Sequence, residues 1–308
     1  MFGNLLSENI DSQSLLQSFA SLGLEEDREF CYMIAEWNDI ACELGPDDRY
    51  GEKAAEVMKT VADVVEQCAA GSGLSYVHEQ EPGVFAFIMP GEALNGYLSG
   101  WRQLAETIQK AIARQLGLNI TVYAGKPAAG PEQLAESVKT AHASRNCKFA
   151  YNGGPVIVHN EACPASVNYL ELEPEYYTEL IERLEEQDTA AVSEAVDRMF
   201  EQFHRQRFSH ESVKGSVTRC VLGITRTIRD MQGDENELPT LQPMLNWDRY
   251  PVSPSGLKSL FTGFIKDSSD FIARLRKENS KGSIQKVKQY IENRYSENIS
   301  LKSIAKLF

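Results

Sequence analysis

Residues 74–90, LSYVHEQEPGVFAFIMP, set two short alternating runs on either side of a Glu-Pro-Gly turn, which is the signal of a β-hairpin. A hairpin supplies antiparallel neighbours, whereas parallel neighbours need a crossover of a dozen or more residues. The flanking segments provide such crossovers. EFCYMIAEW (29–37), NITVYAG (119–125) and PVIVHN (155–160) read as strands. Between them, Ala54, Val57, Met58, Val61, Val65 and Cys68 line one helical face. Leu94, Leu98, Trp101, Leu104, Ile108, Ile112 and Leu116 mark a second helix, and a third is expected over 131–148. The order β-α-β-β-α-β-α-β predicts a mixed α/β, or α+β, domain over residues 29–165, with helices on a mixed sheet of about five strands.

Beyond residue 165 the strand signals stop. EPEYYTELIERLEEQDTAAVSEAVDRMFEQF, HESVKGSVTRCVLGITRTIRDM and GLKSLFTGFIKDSSDFIARLRKE are three helical blocks, which predicts an all-α region over 166–280. Residues 1–28, with Leu5, Leu6, Leu15, Leu16, Phe19 and Leu22, read as a connector helix. After the polar run NSKGS (279–283), Ile284, Val287, Ile291 and Tyr295 form an apolar stripe on a helix that Ser283 can cap. Ser300 offers a second cap, followed by a new stripe of Leu301, Ile304, Ala305 and Phe308.

The charge of −13 is unevenly spread: residues 274–308 hold nine basic and three acidic side chains, leaving −19 for the rest. Taken whole, that balance disfavours a nucleic-acid surface, while the basic end implies a separate role for that end. No apolar run is long enough to span a bilayer, and the first residues lack the pattern of a secretory signal, so a cytoplasmic chain without membrane contact is expected. The six cysteines form no C-x-x-C pair and are expected as reduced, mostly buried thiols. His204 and His210 are six residues apart, which suits neither common helical ligand spacing, so no metal or cofactor is expected.

Two short basic helices joined by a polar turn are the first part of a helix-turn-helix. The run VKQYIENRYSENISLKSIAKLF resembles the opening of an AraC-type DNA-binding domain. The resemblance implies DNA as partner, with Ser300, Lys302 and Lys306 in an incomplete module over 281–308 whose recognition helix would lie beyond Phe308.

The strand and helix order of residues 29–160 resembles the GGDEF, or diguanylate cyclase, fold. In EPGVFAFIMP, Phe85 and Pro90 match the family's pattern, Glu81 and Pro82 stand at its two glycines, and Gly83 and Val84 stand at its acidic pair. In EWNDI, Glu36 remains as one possible metal ligand and Asn38 is a neutral replacement. Metal-assisted nucleotide condensation needs carboxylates around divalent ions, and glycines that let the backbone approach the nucleotide. The resemblance therefore implies a degenerate, non-catalytic domain.

The whole arrangement resembles YesN-like response regulators of the AraC family. That implies a relay and dimerisation region of a transcriptional regulator in a two-component system, with an upstream receiver domain, a sensor kinase and a homodimer. Two alternatives stay open. One is a small-molecule or nucleotide sensor, in which GKPAAG or NGGP, otherwise read as turns, would line a pocket. The other is a diguanylate cyclase with an unusual site.

Overall fold

The computed structural model describes residues 29–40, 50–69, 77–94, 100–130, 133–151, 154–159 and 171–293. The fold is mixed α+β: a six-stranded mixed sheet followed by a mostly helical region. Its strands are β1 (Glu29–Trp37), β2 (Val77–Glu81), β3 (Val84–Pro90), β4 (Ile120–Ala124), β5 (Ala128–Ala129) and β6 (Val156–Val158). The order is β2-β3-β1-β4-β6, with β5 paired to β1. All pairings are antiparallel except β4 with β6, which are parallel and joined through a crossover helix.

β1 lies between β3 and β4 and is buried along nearly its whole length. A strand covered on both faces reads as a continuous apolar run rather than an alternation. Its odd residues Cys31, Met33, Ala35 and Trp37 enter one core layer with α1 (Tyr50–Cys68) and α2 (Trp101–Leu116). Phe30, Tyr32 and Ile34 enter the other layer with α3 (Leu134–Asn146). By the two-residue period of a strand, Glu36 belongs to the α3 layer, and this parity sets the chemistry described below. Gly125, just after β4, lets that strand approach α3 closely. A Cβ there would sit 2.0 Å from the Ser137 carbonyl oxygen.

The helical region comprises α4 (Pro174–Glu186), α5 (Thr189–Arg205), α6 (His210–Asp230), α7 (Leu241–Leu245) and α8 (Pro254–Asn293). The first helical block of the sequence is thus two helices. Gln187 takes a left-handed φ of 61° to end α4, and the Asp188 carboxylate accepts the Ala191 N–H at 3.0 Å to begin α5. The run 279–283, read as a break, lies inside α8 and has helical backbone throughout. One glycine costs a helix only about 1 kcal/mol, and Asn279, Ser280 and Ser283 cost less each, too little to end a helix that continues on both sides. Leu257, Phe261, Phe264 and Ser268 are buried along α8, but Ile284 is 68% and Ile291 41% exposed. At about 100° per residue these isoleucines lie roughly half a turn from Phe264.

By internal packing the chain divides into two compact units. The first joins the described residues up to Leu172 with Met199–Ser216 and Asn246–Lys258; the second takes Glu173–Arg198, Val217–Leu245 and the chain from Ser259 onward. In the second, Gly233 fits against Leu275, Ile228 and Phe271, where a Cβ would fall 2.4 Å from the Leu275 Cδ1. Among the described residues no helix is long and apolar enough to cross a membrane. Cys31, Cys68 and Cys220 are free thiols, as expected, whereas Cys147 is disulfide-bonded to a partner outside the described residues. Cys147 caps α3, and a pairing made by the fold leaves no trace in sequence spacing.

Candidate functional site

Glu36 is a carboxylate inside an apolar strand, fully shielded from solvent. An isolated buried charge costs several kcal/mol, so such a residue requires partners. They come from the end of α3 and from β4. Arg145 Nε donates to Glu36 Oε2 at 2.6 Å, Lys148 Nζ lies 3.1 Å from Oε1, and the Tyr123 hydroxyl donates to Oε1 at 3.0 Å. Arg145 also reaches Glu81 Oε2 at 2.9 Å. Burial pushes the Glu36 carboxyl up, but Lys148 and Arg145 outweigh it and hold the group at about 2. Burial likewise lowers Lys148, opposed by Glu36, and raises the Tyr123 hydroxyl, reinforced by Glu36.

The other positions singled out in the sequence gather at the same edge of the sheet. Asn38, also buried, donates from Nδ2 to Thr121 Oγ1 at 2.9 Å. Its Oδ1 has no hydrogen-bond partner among the described residues. Glu81 ends β2, where a register irregularity between Glu79 and Glu81 re-aims the strand. Pro82 follows it in the turn. Gly83 has φ 79°, a left-handed value that glycine adopts freely, and a Cβ there would meet Ile40 Cδ1 at 2.3 Å. Val84 is buried in the α3 layer and lies opposite Glu36 in the β1–β3 register. Ser300, Lys302 and Lys306 lie outside the described residues.

A divalent ion does not fit this arrangement. Both oxygens of Glu36 already face cations, Asn38 is neutral, and neither Gly83 nor Val84 offers a side-chain donor. Among the described residues no three or more His, Cys, Asp or Glu side chains are grouped to hold a metal.

Beside the cluster opens a polar cavity of about 750 Å³, lined by His78, Glu81, His142, Arg145, Lys214 and Tyr250 among others. On its wall His210 packs between the rings of Phe149 and Trp247, each 5.6 Å away between centroids. Burial, aided by the positive charge of Lys148, lowers His210 to about 4, so it is neutral near pH 7. Lys214 is paired with Asp248 at 2.5 Å.

Arg145, Lys148, Tyr123 and His210 were not legible as site residues from the sequence. One signal did exist: in EFCYMIAEW, Glu36 lies inside the apolar run and not at its edge like Glu29, and such a carboxylate demands a counter-charge. Sequence cannot say which of the chain's basic residues supplies it.

The sheet order, the hairpin at its edge and the helices on its two faces define a mixed α+β domain. Residues 7–146 match the family model of a GGDEF-like domain, so this part of the chain is similar to that family. The match ends at the last residue of α3, and Lys148 lies just past it. No curated protein matches the chain.

Proposed function

We propose that the chain is the signal-relay and dimerisation region of a cytoplasmic DNA-binding transcriptional regulator of the AraC family, of response-regulator type, and that its GGDEF-like domain is degenerate and non-catalytic. The observation that carries this reading is the Glu36 carboxylate, whose oxygens are taken up by Arg145 and Lys148 in place of an ion. With Gly83 and Val84 at the positions of the family's acidic pair, the hairpin brings no second ligand. α8 supports the relay role, because it runs from the α/β unit directly into the basic tail that resembles a helix-turn-helix. DNA binding belongs, in this reading, to the intact module of the parent protein. The receiver domain and sensor kinase are carried over from the same resemblance.

Incubation with GTP and magnesium or manganese is expected to give no cyclic dinucleotide, and measurable product would overturn the non-catalytic reading. Light scattering of the chain is expected to show a dimer; monomer alone at high concentration would remove the dimerisation role. The polar cavity favours a second reading, a small-molecule sensor in the same regulator. A ligand selective for the native state raises its melting temperature, so a thermal-shift screen with nucleotides and sugars separates sensor from spacer.

A further inference from the structure

The edge of the sheet that holds Glu36 also holds the beginning of α8. Asp39, two residues after β1, has a left-handed φ of 62°, which aims its carboxylate at a segment 214 residues away in sequence. Asp39 Oδ1 accepts the Ser253 N–H at 2.9 Å, and Oδ2 accepts the Ser253 hydroxyl at 2.8 Å and an Asn119 amide N–H at 2.7 Å. In return the Asp39 N–H donates to the Pro251 carbonyl at 2.9 Å. Ser253 is itself the cap of α8: its hydroxyl accepts the Gly256 N–H at 2.9 Å, ahead of Pro254 at the first helical position. The fit is close, since a Cβ on Gly256 would stand 2.0 Å from Asp39 Oδ1.

The hairpin tip joins the same knot. Trp37 N–H donates to the Gly83 carbonyl at 2.8 Å, tying the end of β1 to the turn. A Cβ on Gly83 would meet both Ile40 Cδ1 and, at 3.4 Å, Pro251 Cδ. The Gly83 N–H is held by Glu79 Oε1 at 3.0 Å and by the Tyr50 hydroxyl, and the Tyr50 ring packs on Tyr250 at 5.3 Å between centroids. Tyr50 also hydrogen-bonds Glu79. Every one of these residues belongs to the first compact unit, while α8 continues from Ser259 into the second.

The geometry points to a conformational latch: the hairpin tip and the Asp39 turn together clamp the Ser253 cap of α8, so that a change at the tip alters the stability of the helix's first turn, and the reverse. The coupling is reciprocal because both sides share the same contacts. This inference deepens the relay reading and rests on it for its purpose, but it is tested without DNA.

Hydrogen exchange followed by mass spectrometry on the whole chain tests it. Asp39→Ala removes the acceptor that holds the Ser253 cap in place; the amides of Ser253, Gly256 and Leu257 should exchange up to about fivefold faster, the factor of a fully lost helix cap, and amides 83–84 in the hairpin should also speed up. Glu79→Ala, at an exposed position, removes one of the two acceptors of the Gly83 N–H and the acceptor of the Tyr50 hydroxyl, and should speed exchange at Ser253, Gly256 and Leu257 as well. Exchange in the β1–β4 pairing should stay unchanged. Effects confined in both variants to the side that was substituted would overturn the latch. If Asp39→Ala loosens the whole unit, the Glu79→Ala result decides alone. A latch seen here, with transcription by the full-length regulator indifferent to Asp39→Ala, would keep the latch and remove the relay.

Discussion

In the first compact unit, the Glu36 carboxylate meets Arg145 and Lys148 with the lysine side chain only 5% exposed. In the second, Arg198 meets Glu179 across α5 and α4 at 2.5 Å, with the arginine side chain 50% exposed. The charges and distances are alike, yet their energetic weight differs. Water screens the second pair and offers each member an alternative partner, so its contribution is a fraction of a kcal/mol. In the first cluster only Arg145 has such an alternative, in Glu81 and solvent; Glu36 and Lys148 have none, so losing one strands the other without water. Ion pairing therefore specifies structure where Glu36 sits and decorates it where Arg198 sits.

Three substitutions bear on that contrast. Glu36→Gln keeps the shape and removes the charge that Arg145 and Lys148 share; denaturant unfolding should show a loss of about 3–5 kcal/mol. A loss below 1 kcal/mol would place this cluster with the surface pairs. The double variant Glu36→Gln/Lys148→Met should lose less than the sum of its single variants, because the second change removes a stranded cation.

The next effect is a pH dependence. His210 is held at about 4 in the fold against 6.5 when free, so the unfolded chain takes up its proton first, and stability present above about pH 6.5 is lost as pH falls towards 4. The slope in that window is at most about 1.4 kcal/mol per pH unit for this one group. Glu36, at about 2 against 4.5, adds a second loss as pH falls from about 4.5 towards 2. His210→Phe should flatten the upper window and leave the lower one. A residual slope will come from His78, which burial also holds below its usual value. Melting temperatures from pH 8 to 3 for both chains check this.

The smallest effect belongs to Arg198→Ala, expected to cost about 0.2–1 kcal/mol in the same unfolding measurement. A larger loss would mean that Arg198 does more than pair with Glu179.

Much of the architecture was legible because periodicity reports burial. β1, as a continuous apolar run, the hairpin, α1 and α3 sit where the sequence pattern placed them, whereas the second helix, expected from Leu94, begins at Trp101, with Leu94 in a 3₁₀ turn over Gly91–Leu94 and Leu98 outside the described residues. The sheet has six strands against about five expected, since Ala128–Ala129 in GKPAAG pairs with Glu29–Phe30 but is too short to show a period. The division at Gln187 was missed because its left-handed residue is not glycine, although Asp188-Thr189 carried a capping signal. Positions around the hairpin were singled out by their resemblance to a family pattern. Their partners were not: Arg145 lies 109 residues from Glu36, and Ser253 lies 214 from Asp39. Pairings at that range are fixed by topology, which no local spacing encodes.

α8 also has a mechanical consequence. Its 40 residues rise about 60 Å as one helix, and its cap is held by a single aspartate turn. A helix of that length carries its register without interruption, so the direction of every side chain down to Asn293 is fixed by the phase in which the first turn is started at Ser253.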